Sequence, residues 1–426
     1  MGFGQSAMED LVTREAPTGV SCRLCAAELR HTFADLGVTP LANAYLSEDD
    51  LARGEVFYPL HAYVCGECFL AQLPAVASPD EIFLDYAYFS SYSDSWLEHA
   101  RSYAEEAVER FGLDGASRVV EVASNDGYLL QYFREQGVDV LGVEPARNVA
   151  KAAVDRGIPT VVEFFGAELG QRLAAEGHGA DLAVGNNVLA HVPDLHDFVE
   201  GLRALLKPGG VLTMEFPHVM RLIERTEFDT IYHEHFSYLS LIAVDRLFGE
   251  HELALFDVEE LATHGGSLRI FAAAADSGRD SSARLRELRA REEEAGLRRL
   301  ETYAAFDSAV KAAKRDLLSF LIGAREEGKT VVAYGAAAKG NTLLNYCGIR
   351  ADLVDYVVDR SPHKQGRYLP GTHLPIHAPE RVVETRPDYL LILPWNLADE
   401  ITEQMGQVKD WGCRFVIPIP RVSVLP

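Results

Sequence analysis

The chain has 426 residues, enough for two or three domains with a well-buried core, and its 48% hydrophobic content is that of an ordinary globular protein. The formal net charge is -24 with no basic block to offset it; such a surface repels nucleic-acid phosphates and anionic lipid, although a local pocket can still be basic. No apolar run approaches the roughly 20 residues of a membrane span, and the N-terminal MGFGQSAMEDLVTREAP lacks the pattern of a secretory signal, so a cytoplasmic protein is expected.

Composition and periodicity divide the chain into residues 1–78, 79–275, 276–328 and 329–426. The first stretch is short of long helical pattern and carries Cys22-x-x-Cys25 and Cys65-x-x-Cys68. Each C-x-x-C places two sulfurs on one tight turn, and two such turns complete a closed, structural four-thiolate zinc site. Four buried thiols without metal are the plainer alternative; a redox dithiol needs only one pair. Cys347 and Cys413 stand alone and read as small core residues.

The second stretch opens with Asp85-YAYFSSYSDSW, rich in hydroxyls from Tyr86, Tyr88, Ser90, Ser91, Tyr92 and Ser93. It is either a site segment or an amphipathic connector, with a helix starting at Asp94 or Ser95. Strand and helix signals then alternate. The strands are RVVEV, VDVLGVEP, TVVEFF, ADLAVGNNVL and VLTMEF, with a helix ending at KPGG before the last. LALFDVEEL and SLRIFAAA follow without an intervening helix. This pattern predicts a parallel sheet covered by helices on both faces, with one antiparallel strand at the end. Ligands of such sheets bind at the carboxyl ends of the strands.

Three of those ends carry candidate ligands. After the first strand, Glu121, Ser124, Asn125 and Gly127 form a polar turn into a helix. The second ends in Glu144-Pro145, where a carboxylate can hold both hydroxyls of a ribose, or can simply face solvent. Both features suit either NAD or S-adenosylmethionine (SAM). The turn is not G-x-G-x-x-G, and a pyrophosphate needs bare glycine backbone, which favours SAM. Asn186 and Asn187 at the fourth strand's end, leading to His191, sit where a reactive centre would lie, unless they only make a turn. Phe164 and Phe165, at the end of the third strand, either flank an adenine or belong to the core.

Thr230-IYHEHFSYLSL brings Tyr232, His233, Glu234, His235 and Tyr238 together after the fifth strand. H-E-H is too tight for the H-E-x-x-H zinc pattern; the cluster suits acid–base chemistry or a structural polar network. His264-Gly265-Gly266-Ser267 is a tight turn that either approaches the ligand or only reverses the chain. Residues 276–328 interleave acidic and basic side chains and read as a solvated helical linker. The last stretch opens with TVVAYGAAAKGNTLLNY, a second, smaller Rossmann-like unit whose strand-to-helix loop bears Lys339 and Asn341, a natural phosphate site. Arg360, Lys364 and Arg367 can add charge there.

Seven motifs in this order resemble one family: C-x-x-C…C-x-x-C bracketing LGVTPLANAYL, then YAYFSSYSDSW, EVASNDGYLL, NNVLAHVPD, IYHEHFSYLS and GAAAKGNTLLNY. Over nearly the whole chain the sequence is similar to the SAM-dependent C-methyltransferases acting on dTDP-4-keto-deoxysugars in antibiotic sugar pathways, such as those of tetronitrose, vancosamine and mycarose. The resemblance implies an N-terminal zinc domain, a central SAM-binding domain and a C-terminal Rossmann-like domain, with the sugar nucleotide between domains. It makes His235 the base that removes the proton next to the 4-keto group, with Glu234 orienting it. It places Tyr88 or Tyr86, His191 and Tyr232 around the keto oxygen and reacting carbon. Ser91, His233, Lys339, Asn341 and Arg360 fall on the substrate side. A monomer is expected. The rivals are a methyltransferase of the same fold acting on a sugar hydroxyl, an NAD-dependent oxidoreductase, and a zinc-stabilised binding protein.

Overall fold

β-branched runs make the strands, and their burial decides which become central. A computed structural model describes residues 19–76, 90–92 and 94–425; Tyr86 and Tyr88 lie outside them. Near the N-terminus, β1 (His31–Thr39) pairs antiparallel with β2 (Tyr58–Val64), and β2 with the short β3 (Ala71–Gln72).

The central unit is a seven-stranded sheet. Its strands are β4 (Arg118–Val122), β5 (Asp139–Val143), β6 (Thr160–Val161), β7 (Ala180–Asn186), β8 (Leu206–Pro217), and, beyond a short β9 (Ser237–Tyr238), β10 (Leu253–Leu261) and β11 (Ser267–Ala274). The spatial order is β10-β11-β8-β7-β4-β5-β6, parallel from β6 to β8, with β11 running antiparallel between β8 and β10. The single reversed strand expected at this end is present. Two boundaries differ from the pattern reading. The third strand stops at Val161, so Glu163, Phe164 and Phe165 lie beyond it. The helix expected to reach KPGG stops at Leu205, because Leu206 already pairs with Ala180; the left-handed Gly209 then lets the chain bulge before Val211 rejoins Leu182.

The strand β9 does not join the central sheet. It pairs with β3, so the N-terminal sheet has the order β1-β2-β3-β9 and is completed by a segment from the middle of the chain. The C-terminal unit is a six-stranded sheet of β12 (Val331–Tyr334), β13 (Val357–Val358), β14 (Ile376–His377), β15 (Tyr389–Ile392), β16 (Arg414–Ile417) and β17 (Ser423–Leu425). Its order is β14-β13-β12-β15-β16-β17, parallel except for β17.

The charged stretch before it is not a solvated linker. Its long helix, Leu300–Glu326, buries Tyr303, Phe306, Val310, Ala313, Leu317, Leu321 and Ala324, a stripe at three- and four-residue spacing. Phe306 stacks on Phe33 of β1 with centroids 4.6 Å apart, and Tyr303 meets the same ring edge-on at 5.7 Å. In the shorter helix, Ala283–Glu294, Glu292 is fully buried. Its carboxylate accepts the Leu241 and Ile242 amides at 2.6 and 2.9 Å, at the start of helix Leu241–Gly249, and binds His218 Nε2 at 2.7 Å. Local charge pattern missed this because the stretch's solvent-facing ion pairs outnumber its one inward carboxylate. Glu292→Ala leaves two amides and an imidazole without their partner, and is expected to lower stability by about 3 kcal/mol in thermal unfolding. An unchanged Tm would show that the carboxylate is not needed there.

Candidate active site and metal centre

The sulfurs of Cys22, Cys25, Cys65 and Cys68 all lie within 4.8 Å of one another. The two turns repeat each other residue for residue. Ala26 and Phe69 both take φ 61° and donate their N–H groups to the Cys22 and Cys65 carbonyls. Leu24 N–H and Glu67 N–H point at Cys22 Sγ and Cys65 Sγ, each at 3.4 Å, and Gln72 Nε2 donates to Cys22 Sγ at 3.0 Å. Such donors favour the thiolate, the form that binds zinc, so the donor set fits a closed tetrahedral zinc. Cys347 and Cys413 are buried, and burial pushes both thiols up to about 12, as suits inert core residues.

At the carboxyl ends of β4, β5 and β7 the backbone does what glycines usually do. Ala123, Asn125 and Gly127 have φ of 58, 49 and 78°. The turn thus has alternating left-handed residues without being glycine-rich, a conformation that the residue types concealed. Glu144 is buried; its oxygens accept the Asn125 and Ala146 amides at 2.9 and 2.8 Å, and the adjoining Pro145 is half-buried. Glu121 is fully buried, and burial together with Glu144 and Asp126 raises its carboxyl well above the usual range. Around this turn Ser124 Oγ, Asp126 Oδ1, Asn186 Oδ1 and Asn187 Oδ1 are buried without a hydrogen-bond partner among the described residues. Orphaned polar atoms at a sheet's carboxyl edge fit a polar ligand such as SAM. Phe165 packs edge-on against Phe198 at 5.5 Å, whereas Phe164 is 44% exposed.

The Tyr-His-Glu-His segment lies between this edge and the N-terminal sheet. Phe236 N–H donates to Ala190 O at 2.7 Å, and Leu73 N–H to Phe236 O at 2.9 Å. Immediately beside that double anchor stand two imidazoles. His235 Nδ1 is 2.8 Å from the Thr230 carbonyl, and His191 Nδ1 is 2.7 Å from the Glu234 carbonyl. A carbonyl only accepts, so each neutral ring carries its proton on Nδ1 and a lone pair on Nε2. The rings meet edge to face at 4.7 Å. The Tyr232 hydroxyl donates to His235 Nε2 at 2.8 Å. Burial, then the neighbouring His191, hold His235 well below the ordinary value; burial takes His191 down to about 4. Both are uncharged at neutral pH.

The same segment's other side chains turn away. The Glu234 carboxyl accepts Asn43 Nδ2 at 2.7 Å and does not touch His235; burial pushes it up to about 7. His233 Nε2 donates to the Pro59 carbonyl at 3.1 Å, and its ring lies against Tyr58. Ser91 Oγ bonds Asp126 and receives Arg156 Nη2 at 2.9 Å. In the C-terminal unit, Lys339 Nζ lies 5.1 Å from the Trp395 ring and 3.4 Å from both Asn396 Oδ1 and the His264 carbonyl. Burial lowers its pKa, while Asp229 and Glu227 act in the opposite direction. Asn341 Nδ2 is spent on the Ala42 carbonyl at 3.3 Å, and Arg360 is exposed, 3.8 Å from Glu400. Pattern reading passed over Asn43 and Arg23. The Arg23 guanidinium donates to the Pro193 and Leu73 carbonyls and lies 5.3 Å from the Phe236 ring. Arg23 is brought there through Leu73, next to β3, and Asn43 by a loop held against the C-terminal unit, where the Tyr45 hydroxyl donates to the Ala336 carbonyl at 2.6 Å.

Three family models match in succession: "Putative zinc binding domain" over residues 22–83, "Methyltransferase domain" over 96–258, and "C-methyltransferase C-terminal domain" over 262–420. The chain is 38% identical over 404 residues to C-methyltransferase NovU of Streptomyces niveus, covering 95% of this chain and 96% of that one. It is 30% identical over 95 residues to the ubiquinone biosynthesis O-methyltransferase of Roseobacter denitrificans, 22% of this chain and 38% of the other. Among solved structures, magnesium protoporphyrin IX methyltransferase from Synechocystis PCC 6803 with bound SAH covers 41% of this chain and 78–82% of its own forms, 82% for this one, at 14% identity and TM-score 0.33.

Purified protein is expected to hold one zinc ion per chain by elemental analysis. Cys68→Ser should remove it and lower the Tm by several degrees, since structural zinc contributes directly to folding. Full-length protein that keeps its Tm after complete chelation would contradict a structural metal.

Proposed function

The chain belongs to the C-methyltransferase family, and from that premise we propose that it moves the methyl group of SAM to C-3, the carbon beside the 4-keto group, of a dTDP-4-keto-deoxysugar. The observation that carries this reading is the pair of neutral imidazoles, each tied through Nδ1 to a backbone carbonyl, with basic Nε2 atoms beside the carboxyl edge of the central sheet.

A C–H beside a ketone is acidic only because the electron pair it leaves spreads onto oxygen. Nε2 of His235 is the basic atom. As the C–H bond breaks, its proton passes to Nε2, and the Thr230 carbonyl stabilises the imidazolium through Nδ1–H. The Tyr232 hydroxyl fixes the tautomer by bonding Nε2. His191 borders the same centre. Glu234 acts on it through its carbonyl rather than its carboxyl. SAM, when bound, supplies an electrophilic methyl whose bond pair departs onto sulfur. Glu144 would take the ribose hydroxyls, and Ser124, Asn125, Asn186 and Asn187 would line the remaining polar part. Lys339 is the cation the C-terminal unit offers to the pyrophosphate, with Arg360 further out. Tyr88 or Tyr86 would border the keto oxygen and the reacting carbon. Most of the acceleration comes from positioning and from excluding water around the carbanion.

Two outcomes are expected. In a methyl-transfer assay with SAM and dTDP-4-keto-deoxysugars, His235→Ala lowers kcat about 10³-fold while calorimetric binding of S-adenosylhomocysteine is unchanged. Full turnover of that variant would remove the base. Because the folded protein disfavours protonated His235, activity is lost on acidification only below the ordinary histidine value of 6.5; an acid limb at or above 6.5 would mean another group is the base.

A further inference from the structure

Removing the proton leaves negative charge on the ketone oxygen, which needs a hydrogen-bond donor. The paired imidazoles cannot serve, because both Nδ1–H groups are committed to carbonyls, and the Tyr232 O–H is bonded to His235 Nε2 until that atom takes the proton. We propose that His264 is a further catalytic residue, whose neutral imidazole N–H donates to the developing enolate oxygen. The assignment rests on the function proposed above.

Its geometry is unusual. His264 sits between β10 and β11, where the chain turns back into the central sheet, at φ 54°. It is followed by Gly265 and Gly266 at φ 94 and 133°. A non-glycine residue at left-handed φ beside a site is strain retained for a reason, and here only His264 bears it, since the two glycines take positive φ freely. The turn is clamped. A Cβ on Gly265 would come within 2.5 Å of Glu227 Oε1 and 2.7 Å of the Trp395 ring. Thr263 Oγ1 donates to buried Glu215 at 2.9 Å. The His264 carbonyl receives Lys339 from the C-terminal unit, and its ring lies 5.5 Å from Trp96. The central and C-terminal units therefore hold this turn jointly.

Neither ring nitrogen of His264 has a hydrogen-bond partner among the described residues. A neutral imidazole always carries one N–H, so one unspent donor is present. His264 also stays neutral: burial, then the Lys339 ammonium, take it down to about 4, with Glu215 acting in the opposite direction. A neutral ring donates without transferring its proton, and the nearby ammonium favours negative charge on the acceptor. The turn meets the base's own support: Gly265 lies against Glu227, whose carbonyl accepts the Thr230 N–H at 3.2 Å, and the Thr230 carbonyl holds His235 Nδ1.

The test uses the full chain with S-adenosylhomocysteine and dTDP-4-keto-6-deoxyglucose in deuterium oxide, following loss of the C-3 proton by NMR. His264→Leu is expected to slow exchange about 10²–10³-fold with little change in KM, and His264→Gln, which keeps an N–H donor, to recover about tenfold or more of that loss. S-adenosylhomocysteine affinity and Tm stay at wild-type values in both. Wild-type exchange in His264→Leu, or equal impairment in the Leu and Gln variants, would overturn the assignment and leave the proposed function standing. Absence of exchange in the wild-type protein would overturn both.

Discussion

Everything at the candidate centre depends on one backbone connection: Phe236 is bonded through its carbonyl to Leu73 of the N-terminal unit and through its N–H to Ala190 of the central unit. This places the Tyr-His-Glu-His segment just before the edge strand β9 of the zinc-side sheet and beside the Ala190 end of the central unit at once. Arg23, one residue from the Cys22 ligand, reinforces the joint by donating to Leu73 and Pro193 and covering the Phe236 ring. A backbone hydrogen bond is worth only about 1 kcal/mol net, but it fixes direction, and direction is what the proposed base needs. The cysteine cluster is therefore structural in a specific sense: it holds the strand that aims His235.

Burial without charge is the second organising feature. His191, His235 and His264 are all held below the ordinary histidine value, and Glu227 and Glu234 are raised to about 8 and 7, in each case first by desolvation. A dry site strengthens each dipole aimed into it and penalises stray ionisation. The protein meets this by spending its N–H groups on backbone carbonyls, which set tautomers without adding charge. Lys339 follows the same rule: burial lowers it first, Asp229 and Glu227 act in the opposite direction, and Asp229 in turn accepts Trp395 Nε1 at 2.8 Å.

The charged helices before the C-terminal unit show how far local pattern reaches. Interleaved Arg and Glu gave a solvated face, which is true of most of their side chains. It concealed Glu292, whose role arises only because the N-terminus of helix Leu241–Gly249 is packed against it. It also concealed the Tyr303–Ala324 stripe, because the charge run and the apolar periodicity overlap at its start. The left-handed turn at Ala123 and Asn125 was hidden similarly: left-handed φ is legible from glycine, and here two of three positions are not glycine.

The linear sequence by itself determined the secondary-structure alternation, the two cysteine pairs and the clustering of titratable residues, because these follow from local spacing and residue chemistry. The three-unit organisation and the reversed strand of the central sheet follow from them. Only the tertiary structure decided which of the clustered side chains face the centre. Residues 232–235 are adjacent, yet Tyr232 and His235 meet each other while His233 and Glu234 reach Pro59 and Asn43. The reason is that the His235 N–H donates to the Tyr232 carbonyl at 2.9 Å, closing a turn that brings its first and fourth residues together and points the middle two elsewhere. The pairing of β9 with β3 then places that turn between two sheets distant in the chain. Spacing names the residues; the turn and the partner strand decide their direction.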